Sequence, residues 1–381
     1  MRSLITLWRA VVDGQAGPLA RWTLGPLLTT LAWPYDWMHR LRLQAYLRGW
    51  AAVRRLPCRV LSVGNLTLGG TGKTPMVEAI ATLLCQRGYR VGVLSRGYGR
   101  RGRESMTVVS DGTRCLVLPE VAGDEPVLLA EHLPGVPVVV GRDRYAAGML
   151  AVERFGVEVL VLDDGFQHLQ LGRDLDIVLL DSARPFGTGR LFPRGDLRER
   201  PSALGRADVI VFTGWEQGMP MPPSALPRAH PLPMSFRSCH EPSGLRALPD
   251  GRALPLAALN GRRVLAFCGI GGPESFRRTL QRLGVVVVAF VTFPDHHPYT
   301  YLELADLIRM AEEHRAEVLV TTEKDSIRLR RLQPWRWQVW ELQIRCKVVD
   351  HTPAWEAQLL GVLAAPAAPT PQQGRGPWKA P

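Results

Sequence analysis

Between an apolar run ending near Val63 and a helix-patterned stretch opening near Lys73 lies Thr67-Leu68-Gly69-Gly70-Thr71-Gly72-Lys73-Thr74, and no other segment limits the possible folds so strongly. Glycines in such a turn let successive backbone N–H groups curl around phosphate oxygens. A lysine at its end neutralises the outer phosphates, and the threonine hydroxyl that follows binds Mg²⁺. The spacing departs from G-x-x-x-x-G-K-[ST] at one position, because Thr67 stands where the first glycine is usual. A glycine-rich strand-to-helix turn with a chance lysine is the bland alternative. Strand, loop and helix in the right order favour a nucleoside triphosphate.

The flanking pattern supplies the matching fold class. Short Val/Leu/Ile-rich runs at 58–63, 90–95, 136–140, 157–162, 176–180 and 208–212 read as buried strands, and 74–87 and 145–155 read as helices between them. That alternation predicts an α/β, P-loop NTPase-like, mostly parallel sheet with helices on both faces. Nine prolines between 215 and 256 predict an irregular crossing. Periodicity returns with strands at 263–268, 285–291, 318–321 and 338–342 and helices at 273–283 and 301–314, the pattern of a smaller second α/β domain. The expected division is therefore an N-terminal helical segment 1–50, a P-loop domain 51–214, a Pro-rich linker 215–262, an α/β domain 263–362 and a disordered tail 363–381.

A P-loop needs an acidic partner at the end of a neighbouring strand. Asp163-Asp164 directly follow the 157–162 run, and two adjacent carboxylates are costly to hold together without a cation, so both are candidate metal ligands with Thr74. Gly165-Phe166-Gln167-His168 completes that turn, with His168 either near the substrate or a satisfied turn histidine. Gly269-Ile270-Gly271-Gly272 resembles a dinucleotide fingerprint, but Glu274 occupies the third glycine position, and a tight βα turn is the better reading.

The chain has 381 residues with a formal net charge of +12, which favours anionic partners. Residues 1–60 hold nine arginines against Asp13 and Asp36, and five of the eleven tryptophans: Trp8, Trp22, Trp33, Trp37 and Trp50. Arginine and tryptophan beside leucines suit a segment lying in a headgroup layer, although a helical hairpin packed on the protein itself would use the same residues. The uncharged run at 22–35 would reach about 21 Å as a helix, short of the roughly 30 Å hydrocarbon core, so it should not span a bilayer. Nucleic acid is not expected, because the cations are not gathered and no binding module accompanies them. Six scattered cysteines without a CxxC pair point to a reducing cytosol, and the N-terminus lacks a signal-peptide layout.

Eight blocks in order carry a family resemblance: Val63-Gly64-Asn65-Leu66-Thr67, the glycine loop through Pro75, Ser95-Arg96-Gly97-Tyr98-Gly99-Arg100, Gly123-Asp124-Glu125-Pro126, Asp163 to His168, Gly195-Asp196-Leu197-Arg198-Glu199, Phe293-Pro294-Asp295-His296-His297 and Thr321-Thr322-Glu323-Lys324-Asp325. Over roughly residues 20–350 the chain resembles the tetraacyldisaccharide 4′-kinases of Gram-negative bacteria. The resemblance implies phosphorylation of the 4′-hydroxyl of an acylated disaccharide 1-phosphate, with MgATP, at the cytoplasmic face of the inner membrane. It implies Asp124 as the base with His296, favoured over His297, as its support. Arg96, Tyr98, Arg144, Gln167, His168, Arg198 and Glu199 become candidates for the substrate, since a planar guanidinium suits phosphate; surface ion pairing is the competing reading for Arg144 and Arg198. A nucleotide switch or chaperone ATPase is the alternative, distinguished by releasing free phosphate rather than labelling an acceptor. For Thr321 to Asp325 no role follows from the sequence.

Overall fold

The computed structural model describes residues 2–12, 14–97, 104–216, 218–219, 233–332, 337–350 and 352–364. Along the chain run α1 (Arg2–Val12), α2 (Pro18–Leu47), β1 (Arg59–Asn65), α3 (Lys73–Gln86), β2 (Val91–Ser95), β3 (Met106–Asp111), α4 (Pro119–Ala122), α5 (Asp124–His132), β4 (Pro137–Gly141), α6 (Arg144–Phe155), β5 (Val159–Asp163), β6 (Leu175–Asp181), β7 (Val209–Thr213), β8 (Met234–Leu248), β9 (Ala253–Leu254), β10 (Arg263–Cys268), α7 (Pro273–Arg282), β11 (Val286–Thr292), α8 (Tyr301–Glu313), β12 (Val318–Thr322), α9 (Glu323–Leu329), β13 (Val339–Val348) and α10 (Thr352–Ala364). They group into two compact units: Met1–Lys73, Arg144–Cys239 and Val348–Pro381 in the first, Thr74–Asp143 and His240–Lys347 in the second.

In the first unit β1 pairs in parallel with both β5 and β6, β6 with β7, and β7 with the start of β8. Every residue of β5 and β7, and all of β1 after Arg59, is buried. Strands covered on both faces read as unbroken apolar runs, which is why the sequence marks them so plainly. Gly64 lets β1 approach the turn after β5: a Cβ there would lie 2.5 Å from Phe166 Cβ and 2.9 Å from its backbone nitrogen. The Gly165 amide donates to Val63 O at 3.0 Å and closes the turn on the strand.

Helix α2 is fixed to the segment that follows β6. Tyr35 Oη donates to Arg198 O at 3.0 Å, Arg200 grips Asp36 through two bonds of 2.8 Å, and Trp8 of α1 donates to Pro193 O at 2.6 Å. A groove of about 1010 Å³ runs between α2 and that segment, with Trp33, Trp37 and Arg40 on one wall and Arg190, Arg194 and Arg200 on the other. The tryptophans of α2 are nonetheless open to solvent: Trp22, Trp33 and Trp37 are 81%, 76% and 64% exposed. Among the described residues no helix is long and apolar enough to cross a membrane.

In the second unit β2 and β4 are parallel, with β3 antiparallel on β4, while β10 lies between β11 and β12 and β12 pairs with β13, all parallel. Helix α5 is bound to α9 by a ladder of charges. Arg328 donates to Asp124 at 2.6 Å and Arg330 to Glu131 at 2.6 Å, Lys324 pairs with Glu125, and His132 Nε2 lies 2.9 Å from Glu323. The other ring nitrogen of His132 lies 2.9 Å from Glu78 on α3. Burial opposes the charged ring, but hydrogen bonds and charge from Glu323 and Glu78 win and raise His132 to about 10.

The expected linker is corrected over its described part. Residues 234–248 form the 15-residue strand β8. Pro242 falls between the stretches registered against β7, 234–237, and against β9, 245–246, so its missing amide interrupts neither of those two pairings. The prolines from 220 to 231 and the tail beyond 364 lie outside the described residues. Strand β3 and helix α5 were not anticipated at all.

Because the folded His132 binds its proton more tightly than the unfolded ring near 6.5, its stabilisation is complete below about pH 6.5 and is lost as pH rises toward 10. Urea titrations from pH 6 to 10 should show wild-type stability falling across that window. His132→Gln should start lower and fall less; parallel curves would count against this assignment.

Candidate active site

The glycine loop leaves the end of β1 and enters α3, with Gly69 and Gly72 at φ of 115° and 77°, a region that side chains disfavour. Asn65, fully buried at the last position of β1, sets its shape: Nδ2 donates to Thr67 O at 2.9 Å and Oδ1 accepts from Lys73 Nζ at 3.3 Å. A second tether comes from the 195–199 segment, where Leu68 N donates to Asp196 O at 2.6 Å and Arg198 N to Leu66 O at 2.7 Å. Thr74 is buried in the first turn of α3.

At the end of β5, Asp163 is buried and Asp164 takes a left-handed backbone, φ 56°. Asp164 accepts from Arg198 Nη1 at 2.8 and 2.9 Å and lies 3.8 Å from Lys73 Nζ. Burial pushes its carboxyl upward, but the charges of Lys73, Arg198 and Arg144 together with the arginine hydrogen bond outweigh burial and hold it below the usual range. Gln167 joins this group, donating to Asn65 O at 3.0 Å and facing Arg198 at 3.5 Å. One carboxylate between fixed cations is what a site awaiting a polyanion needs, since the cations are already placed.

In the second unit Asp124 opens α5 after Gly123, whose φ is 96°. Its Oδ2 accepts from Arg328 Nε at 2.6 Å and lies 3.5 Å from His296 Nδ1. Burial opposes its ionisation, but His296 and Arg328 prevail and the Asp124 carboxyl sits below the usual range. His297 points elsewhere: it is buried, stacks on Phe293 and meets Glu303, a member of the box that caps α8.

Other expected residues take different places. Glu199 accepts from Arg206 at 2.7 Å and is not drawn to Asp164. His168 offers its carbonyl to Arg173 at 2.7 Å. Arg144 is buried at the start of α6, Arg96 is exposed after β2, and Tyr98 lies outside the described residues. Sequence reading missed Asn65 as a tether and Arg328 altogether. The one signal for Arg328 is its i+3 spacing from Asp325, which puts both on one face of α9. The segment from Thr321 to Asp325 acts structurally, since Thr322 caps α9 and Asp325 accepts from the Gly269 amide at 3.0 Å and from Tyr299 Oη at 2.9 Å.

A parallel sheet, a glycine loop ending in Lys73-Thr74 and a carboxylate pair at the next strand end define a P-loop protein of the kinase type. The LpxK family profile, tetraacyldisaccharide-1-P 4′-kinase, matches residues 24–364. The tetraacyldisaccharide 4′-kinase of Syntrophus aciditrophicus is 51% identical over 72% of this chain and 76% of its own length. That of Geobacter sulfurreducens is 45% identical over 84% and 89%. A crystal structure of the "apo" form of LpxK from Aquifex aeolicus in complex with ATP superposes with a TM-score of 0.71 at 34% identity, covering 89% of this chain and 99% of that one. The chain belongs to the tetraacyldisaccharide 4′-kinase family.

Asn65→Ala removes the tether that holds Lys73 and the loop. Nucleotide affinity, measured by calorimetry, should fall on the order of tenfold, the worth of about one net hydrogen bond. Unchanged affinity would show that the loop holds its shape without Asn65.

Proposed function

We propose that this chain transfers the γ-phosphoryl group of ATP to the 4′-hydroxyl of an acylated glucosamine disaccharide 1-phosphate, a lipid A precursor, at the cytoplasmic face of the inner membrane. The observation that carries the reading is Lys73, held between Asn65 and Asp164 at the mouth of a strand-loop-helix unit. In that place its ammonium neutralises the outer phosphates while loop amides receive their oxygens. Arg198 adds a second fixed cation for charge that moves onto the leaving group.

Phosphoryl transfer is mostly positioning and charge stabilisation, with little covalent work for the protein. As the 4′-oxygen bonds to the γ-phosphorus, the bond to the bridging oxygen of the departing ADP breaks and the hydroxyl proton passes to Asp124. A carboxylate held below the usual range is ionised and ready at neutral pH. Thr74, Asp163 and Asp164 form a set of hard oxygen donors that fits Mg²⁺, which binds through one or two carboxylates, retained waters and substrate phosphates. When bound, the ion supplies charge neutralisation on the phosphates. Arg96, Arg144, Gln167, His168 and Glu199 remain candidates for contact with substrate. A nucleotide switch acting on a protein partner would leave the Asp124 and His296 pair without a purpose.

The bare face of α2 supports peripheral attachment. Its exposed tryptophans would enter the headgroup layer, and Arg40 and Arg42 would meet anionic lipid.

With labelled ATP and a detergent-dispersed disaccharide lipid, label should appear in the acceptor, and Lys73→Ala and Asp124→Ala should each lower turnover by about a hundredfold or more. Release of free phosphate independent of acceptor would overturn the kinase reading. Separately, changing Trp22, Trp33 and Trp37 together to Ser should weaken cosedimentation with anionic vesicles by roughly tenfold or more and leave the ATP KM unmoved. Equal sedimentation would defeat the membrane assignment.

A further inference from the structure

Arg328 is almost fully buried, at 7% exposure, and its guanidinium faces three groups. Nε donates to Asp124 Oδ2 at 2.6 Å, Nη1 to Asp325 Oδ1 at 3.3 Å, and Nη2 meets His296 Nδ1 at 3.1 Å. An arginine has no lone pair to offer and stays charged, so His296 Nδ1 must accept. The proton of the neutral ring therefore sits on Nε2. Nδ1 cannot at the same time donate to Asp124, and its 3.5 Å separation from Oδ2 agrees. The carboxylate and the imidazole are joined through the guanidinium rather than directly to each other.

The arginine is itself braced from behind. Asp325 is fully buried and also accepts from Thr322 Oγ1 at 2.6 Å, from Tyr299 Oη at 2.9 Å and from the Gly269 amide at 3.0 Å. Gly269 in turn accepts from the His296 amide at 3.2 Å, which holds His296 in a left-handed backbone, φ 60°. Such a conformation persists in a non-glycine residue only where its surroundings impose it. One buried carboxylate thus fixes both the arginine and the loop that carries the histidine.

We infer that Arg328 is the positioning residue of the proposed base: it sets the rotamer of Asp124 toward an acceptor hydroxyl and selects the His296 tautomer whose Nε2 carries the proton. The inference rests on the reading of Asp124 as proton acceptor. The charged and titratable groups around Asp124 are Arg328 on α9, His296 with Asp295 on the loop before α8, the Glu125–Lys324 pair beside it, and Asp325 behind the arginine. With the guanidinium gone, burial would act on Asp124 without the cation that donates to it, and protonation would extend to higher pH.

The test uses the full chain with MgATP and the dispersed disaccharide lipid, comparing wild type, Arg328→Met, Arg328→Lys and Asp124→Asn. Arg328→Met should lower kcat by about a hundredfold, move the acid limb of the kcat profile up by about one pH unit or more, and leave the ATP KM within about twofold. Arg328→Lys keeps the charge without the fork and should recover part of both effects; it also carries the test if the methionine variant fails to fold. Nitrogen NMR of labelled imidazoles, with His296 assigned by His296→Gln, should show the Nε2–H form in wild type and its loss in Arg328→Met. A fall in kcat with an unmoved limb and an unchanged His296 tautomer would overturn the inference and leave only a packing role. Wild-type kcat in Arg328→Met alongside an inactive Asp124→Asn would overturn it while the base reading stands. An active Asp124→Asn would instead remove the base reading, and the inference with it.

Discussion

Asp164 is the contact on which the nucleotide end of the molecule depends. Its carboxylate lies between Lys73 and Arg198, so three pieces of chain distant in sequence converge on a single negative charge. Either cation without it would sit close to another positive group, and the carboxylate without them would resist ionisation in its half-buried place. The same contact reaches outward, because the backbone oxygen of Arg198 is the acceptor that Tyr35 uses to seat α2. The helix with the bare tryptophans is therefore two bonds removed from the residue that faces Lys73.

The second unit solves a different problem. Asp124 begins a nine-residue helix, too short to be stable alone. Its residues Pro126 to Leu129 are buried, and charges on α9 and α3 hold both of its ends. Buried ion pairs seldom raise net stability against an apolar alternative, but they fix orientation. The arrangement places the cost where precision is needed.

The legibility of the chain follows the same physics. Strands β1, β5, β6, β7 and β10 were visible because burial on both faces keeps them mostly apolar, and the glycine loop was visible because its backbone demands glycine. Helix α5 was not, since the partners that stabilise it lie as far as 204 residues away. Strand β8 was hidden by prolines whose harm depends on register, which only the pairing reveals. Glu199 looked like a companion of Arg198 but turns to Arg206, and nothing in local spacing announces that choice. His296 and His297 are adjacent in the sequence, and only the family resemblance favours the first. A cap on α8 claims one and leaves the other for Asp124. Arg328 carried an i+3 cue toward Asp325, yet the cue named only that neighbour and not Asp124, to which its Nε also donates.

Helix α2 contains Pro26 and Pro34. Each withholds the amide that an unbroken helix would give to the carbonyl one turn earlier, at Trp22 and Thr30. In water or among headgroups such oxygens find donors; in hydrocarbon each would cost several kcal/mol. Any lipid layer that receives this helix thus meets a depth stop written into its backbone.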